Sequence, residues 1–222
     1  MQKLNIGLFG FGVVGEGIYR VLAEKPELNA SIKKIVIKDA NKSRNAPAEL
    51  FSTDANAILE DDDINVVVEL ISDSDAAFHI IKKAFDKGKH VVSANKKLIA
   101  DHHEELLDLQ HKNDVSFLYE ASVCGSVPII RNLEEYFDND LLNYVSGIVN
   151  GTDPTADVEG HDAVSKLSII TLHAFGKKIE TENVIRKGIT SLKIEDFNYA
   201  KEKKYTIKLI ANSKVIQQAN EI

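Results

Sequence analysis

A glycine-rich turn near the N-terminus restricts what this chain can fold into more than any other feature. Residues 10–15 read Gly-Phe-Gly-Val-Val-Gly, directly after the apolar run Leu4–Phe9 and directly before a segment of helical periodicity, Val13–Glu24. Glycine can turn tightly with a positive φ, and a position without a side chain lets a phosphate or another backbone come close. Between a strand and a helix, this spacing predicts the first βαβ unit of a dinucleotide-binding domain.

A glycine turn of this kind can also join a strand to a helix without binding anything. The binding interpretation is favoured here, because the following helix would present free N–H groups and a partial positive charge to an incoming pyrophosphate. The candidate cofactor-binding residues in this turn are Gly10, Phe11, Gly12, Val13, Val14 and Gly15.

The residue that contacts the ribose is ambiguous. It is expected about 20 residues after the turn, at the end of the second strand, and the predicted strand Lys34–Lys38 is followed there by Asp39. An acid favours NAD because it repels a 2′-phosphate, whereas the cation of Lys38 could accept one. Both residues are therefore candidate contacts to NAD or NADP, with two solvated turn residues as the alternative.

Strand-like and helix-like segments alternate through the first half of the chain. The run Ile64–Ile71 is almost entirely apolar, as in a strand buried on both faces, and a polar-faced helix is predicted at Asp101–Lys112. This alternation predicts an α/β fold, with a Rossmann-type doubly wound parallel sheet over residues 1–128. Residues 129–222 are predicted to form an incomplete α+β substrate and dimerisation domain, which contains a strand at Tyr205–Ile210.

Composition argues against several classes of partner. The net charge is -7 and the pI is about 5.5, which disfavours nucleic acid because its binding depends on clustered Lys and Arg. No apolar stretch is long enough to span a bilayer. The first residues resemble a strand and not a signal peptide, and the single cysteine, Cys124, cannot form an intrachain disulfide. We therefore expect a cytoplasmic protein.

Four further segments follow the glycine turn in a fixed order. They are residues 91–96 (VVSANK), 120–128 (EASVCGSVP), 147–152 (GIVNGT) and 153–162 (DPTADVEGHD). Together with the turn they closely resemble homoserine dehydrogenase, and the resemblance covers essentially the whole chain. It implies the interconversion of L-homoserine and L-aspartate 4-semialdehyde with NAD or NADP, a step toward threonine, methionine and isoleucine.

The resemblance also assigns catalytic and substrate-binding residues. Asp162 and Lys166 are four residues apart and share one face of a predicted helix. Spacing alone would make them a surface ion pair worth about 0.3–0.5 kcal/mol, whereas the resemblance implies a pair at the reacting hydroxyl with Lys166 as the acid/base. Spacing likewise makes Lys96 a helix-entry lysine, whereas the resemblance places it near nicotinamide and substrate. It gives Asp157 a role in orienting the substrate amino group.

Other ligands follow from the resemblance. Ser72 and Ser93 lie at neighbouring strand ends and could touch the cofactor. A monovalent cation, usually sodium, would have a structural role, with a loop that holds no metal as the alternative. Its ligands would be Glu120, Val123, Gly125 and Val127. The resemblance also implies a homodimer, for which Tyr205–Ile210 is a candidate interface segment.

The chain departs from the family pattern in three places. Residues 124–126 (CGS) replace a glycine-rich loop, and residues 72–75 (SDSD) follow the third long strand where the family has paired glycines. Thr152 is joined directly to Asp153, where the family has a helical segment with a glutamate that binds the substrate amino group. Two hypotheses follow: an active homoserine dehydrogenase, or a non-catalytic dinucleotide-binding relative.

Overall fold

The computed structural model describes residues 3–125, 127–136, 142–148 and 159–216 of the chain. Its internal contacts divide the chain into two units, of which the first ends at Gly125 and the second begins at Ser126. The boundary predicted from the sequence, after residue 128, falls a few residues further along. Each unit has its own sheet and its own helices.

The first unit is built around one parallel sheet of six strands in the order β3-β2-β1-β4-β5-β6. The strands are β1 (Leu4–Phe9), β2 (Ala30–Val36), β3 (Phe51–Ser52), β4 (Val66–Glu69), β5 (His90–Ser93) and β6 (Phe117–Leu118). Every neighbouring pair runs parallel. The chain therefore adds strands outward from β1, returns to place β4 beside β1, and then builds in the other direction. This confirms the predicted doubly wound sheet.

Four α-helices connect these strands. They are α1 (Val13–Glu24), α2 (Asn56–Leu59), α3 (Ser74–Asp86) and α4 (Lys96–Asn113). The first of them has the predicted bounds, while α4 begins before the predicted Asp101 and carries a non-helical φ of -125° at His102. Helix α3 begins where the Asp73 carboxylate accepts the N–H groups of Asp75 and Ala76.

The central strands are the most buried part of this unit. All four residues of β4 are buried, as the apolar run predicted. Leu8 and Ile35 have no exposed surface, and Ile18 and Leu22 of α1 pack against the cluster that contains them. Burial stabilises the fold by about 1.5–3 kcal/mol for each large side chain fully removed from water. This cluster therefore holds β1 and β4 together at the point where the strand order reverses.

The second unit contains three α-helices and one two-stranded sheet among its described residues. These elements are α5 (Ile129–Tyr136), β7 (Tyr144–Ile148), α6 (His161–Phe175), α7 (Ile194–Glu202) and β8 (Ile210–Lys214). Strands β7 and β8 are antiparallel, with Tyr144 opposite Lys214. Helix α6 ends at Gly176, whose φ of +60° a residue with a Cβ rarely adopts. Among the described residues, no helix is both long and apolar enough to cross a membrane.

The strand predicted at Tyr205–Ile210 is wrong except for its last residue, since β8 begins only at Ile210. The chain leaves α7 through Lys204, which has a φ of +59°. The Tyr205 N–H then donates to the Ala200 carbonyl at 2.7 Å. Tyr205 therefore closes the end of a helix, although the apolar residues of the segment alternate as they would in a strand.

Candidate functional site

Two of the three glycines in the turn after β1 are required by the packing of the backbone. Gly10 has a φ of +96°, and a Cβ there would lie 3.0 Å from the Leu70 carbonyl oxygen. A Cβ on Gly15 would lie 2.5 Å from the Gly10 carbonyl oxygen, well inside van der Waals contact. The turn and the helix after it therefore fit against the ends of β1 and β4 only without these side chains.

The second glycine of the turn has a different environment. Gly12 caps α1 without a side-chain hydrogen bond, and a Cβ there would meet no atom within 4 Å. Val13 and Val14 are 90% and 57% exposed. The first N–H groups of any helix have no acceptor within that helix, and the exposure of Val13 and Val14 leaves this end of α1 accessible. This arrangement fits a pyrophosphate, as the sequence predicts.

The Phe11 side chain has a supporting role in the same turn. Its ring lies edge-on to Phe51, with 5.2 Å between centroids, and edge-on to Tyr19 at 6.0 Å. Its side chain therefore packs inside the unit, which leaves only its backbone for the predicted contact with a phosphate.

The loop after β2 carries the predicted ribose contacts, Lys38 and Asp39, both exposed. The Asp39 carboxylate accepts the Asn41 N–H at 2.9 Å, and Arg44 Nη2 donates to the Asp39 carbonyl at 2.7 Å. The Arg44 guanidinium also lies over the Phe51 ring, 5.6 Å from its centroid. Arg44 thus fixes the fold of the loop and adds a cation to it.

A pocket of about 520 Å³ opens beside this loop and is lined by Lys42, Arg44, Ser52 and Thr53, among others. Lys42 and Arg44 were not among the residues predicted from the sequence to contact the ribose, which were only Lys38 and Asp39. A signal was present, since they follow Asp39 within a few residues. Their approach to one pocket depends on the chain turning back toward β3.

The loop after β4 contains residues 72–75, one of the departures from the family pattern. Ser72 is exposed at the strand end, as a cofactor contact must be. Asp73 is the N-cap of α3, and its Oδ1 accepts two backbone N–H groups at 3.1 and 3.0 Å. The added carboxylate therefore faces the helix that it caps and is held there.

The residues after β5 are more enclosed. Ser93 has no exposed surface, and its hydroxyl donates to Glu69 Oε2 at 2.6 Å. Lys96 is partly buried and is the first residue of α4. Asn95 caps that helix by accepting the Leu98 N–H at 3.1 Å. The structure therefore gives the Ser93 hydroxyl a partner inside the unit and holds the backbone of Lys96 at a capped helix start.

The four predicted cation ligands fall in both units. Glu120 is partly buried and begins a 3₁₀ helix, Val123 is buried, and Gly125 is exposed. Val127 lies in the second unit, and its carbonyl accepts the Ile129 N–H at 2.8 Å. Within the described part of the chain, no cluster of three or more His, Cys, Asp or Glu side chains could hold a metal. Among the four predicted cation ligands only Glu120 has such a side chain, so the predicted site would depend mainly on backbone carbonyl oxygens.

The second unit contains the predicted Asp–Lys pair in the first turns of α6. Lys166 Nζ lies 2.8 Å from Asp162 Oδ2, and the two side chains are only 19% and 3% exposed. The equally spaced pair of Arg131 and Glu135 on α5 is 72% and 45% exposed. Asp157, predicted to orient the substrate, and the junction of Thr152 with Asp153 lie outside the described residues.

The enclosure of this pair changes its energetic meaning. A surface pair is worth well under 1 kcal/mol. A buried pair pays a desolvation penalty of several kcal/mol for each ion, which its mutual attraction often fails to repay. The Asp162 carboxylate is stabilised by its position in the first turn of α6, near the positive end of the helix dipole. Stability alone therefore gives little reason for this pair, and a chemical role is favoured.

Family models match most of the chain. One described as "Homoserine dehydrogenase, NAD binding domain" matches residues 10–120. A second, described as "Homoserine dehydrogenase", matches residues 152–221. The first model covers the parallel sheet and its glycine turn, and the second covers α6, which carries the Asp–Lys pair.

Individual relatives agree with these models. The homoserine dehydrogenase of Bacillus subtilis is 32% identical over 249 residues, covering 95% of this chain and 58% of its own length. That of Corynebacterium glutamicum is 33% identical over 248 residues, covering 95% and 56%. A crystal structure of a homoserine dehydrogenase from Thiobacillus denitrificans has a TM-score of 0.86 at 29% identity, covering 96% and 58%.

The chain is shorter than these relatives in two respects. It spans about 58% of the length of the Bacillus subtilis protein. The alignment with that protein also runs over 249 residues, more than the 222 of the whole chain, so the relative carries residues inside the aligned region that this chain lacks.

Proposed function

Because this chain belongs to the homoserine dehydrogenase family, we propose that it interconverts L-homoserine and L-aspartate 4-semialdehyde with a nicotinamide dinucleotide. The reaction would serve the synthesis of threonine, methionine and isoleucine. The observation that carries the proposal is the enclosed pair of Asp162 and Lys166, because an alcohol oxidation needs a group that takes the hydroxyl proton. The NAD-binding domain, with its open helix N-terminus, supports it.

Lys166 is the proposed acid/base. In the oxidation direction its amine would take the proton of the substrate hydroxyl, and in reduction its ammonium would return a proton to the carbonyl oxygen. A bound dinucleotide would accept or supply the hydride. Asp162, 2.8 Å from Lys166 Nζ, would hold the lysine in position and balance its charge.

The remaining predicted residues would bind and orient the reactants. The N–H groups at the start of α1 would hold the pyrophosphate, and Ser72 lies at the strand end next to the turn. Lys96 would contact nicotinamide and substrate, and Asp157 would orient the substrate amino group. Ser93, whose hydroxyl is enclosed, would act through the backbone around it.

We propose NADP as the preferred cofactor. The loop after β2 carries three cations, Lys38, Lys42 and Arg44, around one acid. The carboxylate of that acid, Asp39, already accepts the Asn41 N–H. A 2′-phosphate would therefore meet a net positive loop, in which a hydrogen bond to a cation is worth about 1.5–3 kcal/mol.

Substitution of Lys38 tests this preference. We expect Lys38→Ala to raise the KM for NADP about tenfold or more and to leave that for NAD within about twofold, because only NADP carries the 2′-phosphate. Steady-state kinetics with each cofactor provide the measurement. The control is Lys33→Ala, which removes an exposed lysine of β2 that lies outside this loop. Equal effects on both cofactors would contradict the proposal.

We also propose that a sodium ion with a structural role binds to Glu120, Val123, Gly125 and Val127. Its donors would be one carboxylate and three backbone carbonyls, the oxygen ligands that hard cations prefer. The partial burial of Glu120 at the start of its 3₁₀ helix supports it. A melting temperature that rises with sodium but not with an equal concentration of tetramethylammonium, and does so only while Glu120 is intact, would support this assignment.

A homodimer and a cytoplasmic location complete the proposal. The second unit exposes large apolar side chains after α7, among them Tyr205 at 70% and Ile210 at 55%, which a second copy could cover. A single cysteine suits a reducing compartment. Light scattering on the purified protein gives the solution mass that tests the dimer.

The proposed activity is tested by one sample and two measurements. The purified protein is assayed for reduction of NAD and NADP by L-homoserine at alkaline pH, and for binding of NADPH by fluorescence. We expect both binding and turnover. Binding without turnover would instead support the second hypothesis, a non-catalytic dinucleotide-binding member of the family, which the residues absent from this chain also favour.

A further inference from the structure

A fully buried carboxylate lies under the carboxyl ends of the central strands. Glu69 is the last residue of β4 and its side chain has no exposed surface. Its Oε2 accepts the Ser93 hydroxyl at 2.6 Å and its Oε1 accepts the Ile71 N–H at 2.7 Å. Burial raises the pKa of this carboxyl above its usual value, although both hydrogen bonds lower it. A carboxylate enclosed with uncharged partners is costly, which calls for an explanation.

The partners of Glu69 are joined to each other by Asn95. The Asn95 N–H donates to Ser93 Oγ at 3.1 Å, and Asn95 Nδ2 donates to the Ile71 carbonyl at 3.1 Å. The hydrogen bonds thus run from Glu69 through Ser93 and Asn95 to Ile71 and back to Glu69. We call these four residues the Glu69 ring. It ties the loop after β4 to the loop after β5 at the edge of the sheet where open α/β folds bind ligands.

The Glu69 ring also fixes the start of α4. Asn95 Oδ1 accepts the Leu98 N–H at 3.1 Å, and the Asn95 carbonyl accepts the Ile99 N–H at 3.1 Å. Lys96 follows Asn95 directly and is the first residue of the helix. Its backbone therefore cannot move without disturbing the ring, whose members are satisfied by one another.

We infer that Glu69 is a positioning residue that sets the backbone of Lys96 through Ser93 and Asn95. The inference rests on the proposed contact of Lys96 with cofactor and substrate. The two Glu69 oxygens accept from the Ser93 hydroxyl and the Ile71 N–H, so Glu69 keeps two loops in register without itself touching a ligand. Preorganisation of this kind matters because a misplacement of about 1 Å can lower a rate about 100-fold.

Replacement of the carboxylate by an amide removes this property while the shape is kept. In Glu69→Gln one acceptor oxygen becomes an NH₂ donor. If that donor faces Ile71, two N–H groups oppose each other. If it faces Ser93, the hydroxyl must donate elsewhere, although Ser93 Oγ already accepts the Asn95 N–H. Either arrangement leaves a buried donor unpaired, which strains or opens the ring.

The test compares Glu69→Gln with a matched change at the other end of the same strand pair. Lys89 precedes β5, is 3% exposed, and donates through Nζ to the carbonyls of Asp61 and Ile64 at 2.6 and 2.7 Å. Lys89→Met removes a buried charged group and keeps a side chain of similar length. The change lies at the opposite end of the β4–β5 pair from the Glu69 ring. Both variants are expected to lower the melting temperature, and only one should affect the start of α4.

For Glu69→Gln we expect kcat to fall about 10- to 100-fold while the KM for dinucleotide stays within about threefold. Amide hydrogen exchange at Asn95 and Leu98 should accelerate about tenfold. Ser93→Ala, which removes one link of the ring, should shift both quantities in the same direction. Lys89→Met should leave kcat and both amides as they are in the unaltered protein.

The two readouts keep the inference separate from the proposed function. Unchanged exchange at Asn95 and Leu98 in Glu69→Gln would overturn the inference, as would an equal loss of kcat in Lys89→Met. If the unaltered protein has no turnover, the proposed function fails. Faster exchange in Glu69→Gln and Ser93→Ala would then still support the positioning of α4 by the ring.

Discussion

Substitution of Lys166 by Met is expected to lower kcat for homoserine oxidation about 10²–10⁴-fold, with the KM for dinucleotide nearly unchanged. The size follows from the usual contribution of a general acid or base. The substitution keeps the length of the side chain but removes the amine that would take the hydroxyl proton. Steady-state kinetics at a fixed alkaline pH provide the measurement.

Two further variants separate catalysis from stability. Lys166→Met leaves Asp162 enclosed without its cation, which costs up to about 3–5 kcal/mol for a fully buried pair and less here because Lys166 is 19% exposed. The double variant Asp162→Asn/Lys166→Met removes that charge, so we expect it to recover stability but not activity. Arg131→Met breaks an exposed pair at the same spacing and should leave both nearly unchanged. A double variant with normal kcat would contradict the assigned role.

Substitution of Gly12 by Ala is expected to weaken NADPH binding about 10- to 100-fold while the fold is retained. A Cβ at this position meets no protein atom within 4 Å, so it occupies only the space in front of α1 where the pyrophosphate is proposed to lie. Each displaced hydrogen bond to a charged phosphate is worth about 1.5–3 kcal/mol. The loss of stability should not exceed about 1 kcal/mol, the usual effect at an N-cap. Fluorescence titration and thermal melting measure the two effects.

Two neighbouring glycines supply contrasting controls for this prediction. Gly17 lies inside α1, where a Cβ also meets no atom within 4 Å, so Gly17→Ala should stabilise by about 0.5–1 kcal/mol and leave binding intact. Gly15→Ala places a Cβ 2.5 Å from the Gly10 carbonyl oxygen and should destabilise by about 1–3 kcal/mol. Intact binding in Gly12→Ala would mean that the phosphates lie elsewhere.

The first unit was largely predictable because its signals are local. The bounds of β1 and α1 agree with the prediction, since an apolar run, a glycine turn and a periodic segment are adjacent in the chain. The burial of β4 follows from its unbroken apolar residues. Helix α4 starts at Lys96 and not at the predicted Asp101, because the Asn95 side chain caps it there by accepting the Leu98 N–H.

The energetics of the candidate site were not predictable from spacing. The sequence places Asp162 and Lys166 on one helix face, but only packing decides whether that face is exposed or enclosed. The role of Glu69 was missed for a similar reason, since a glutamate inside an apolar run gives no sign of what it bonds. Its partner Ser93 lies 24 residues away in sequence and is brought opposite by the pairing of β4 with β5.

The lengths of the edge strands bear on how this protein would associate with itself when concentrated or heated. The six-stranded sheet ends on both sides in a strand of only two residues, β3 and β6, too short a row of unpaired backbone groups to template a second chain. Strands β7 and β8 have five residues each, and among the described residues each pairs on one side only. Intermolecular sheet growth, and hence aggregation, would therefore start from the second unit while the dinucleotide-binding sheet stays closed to it.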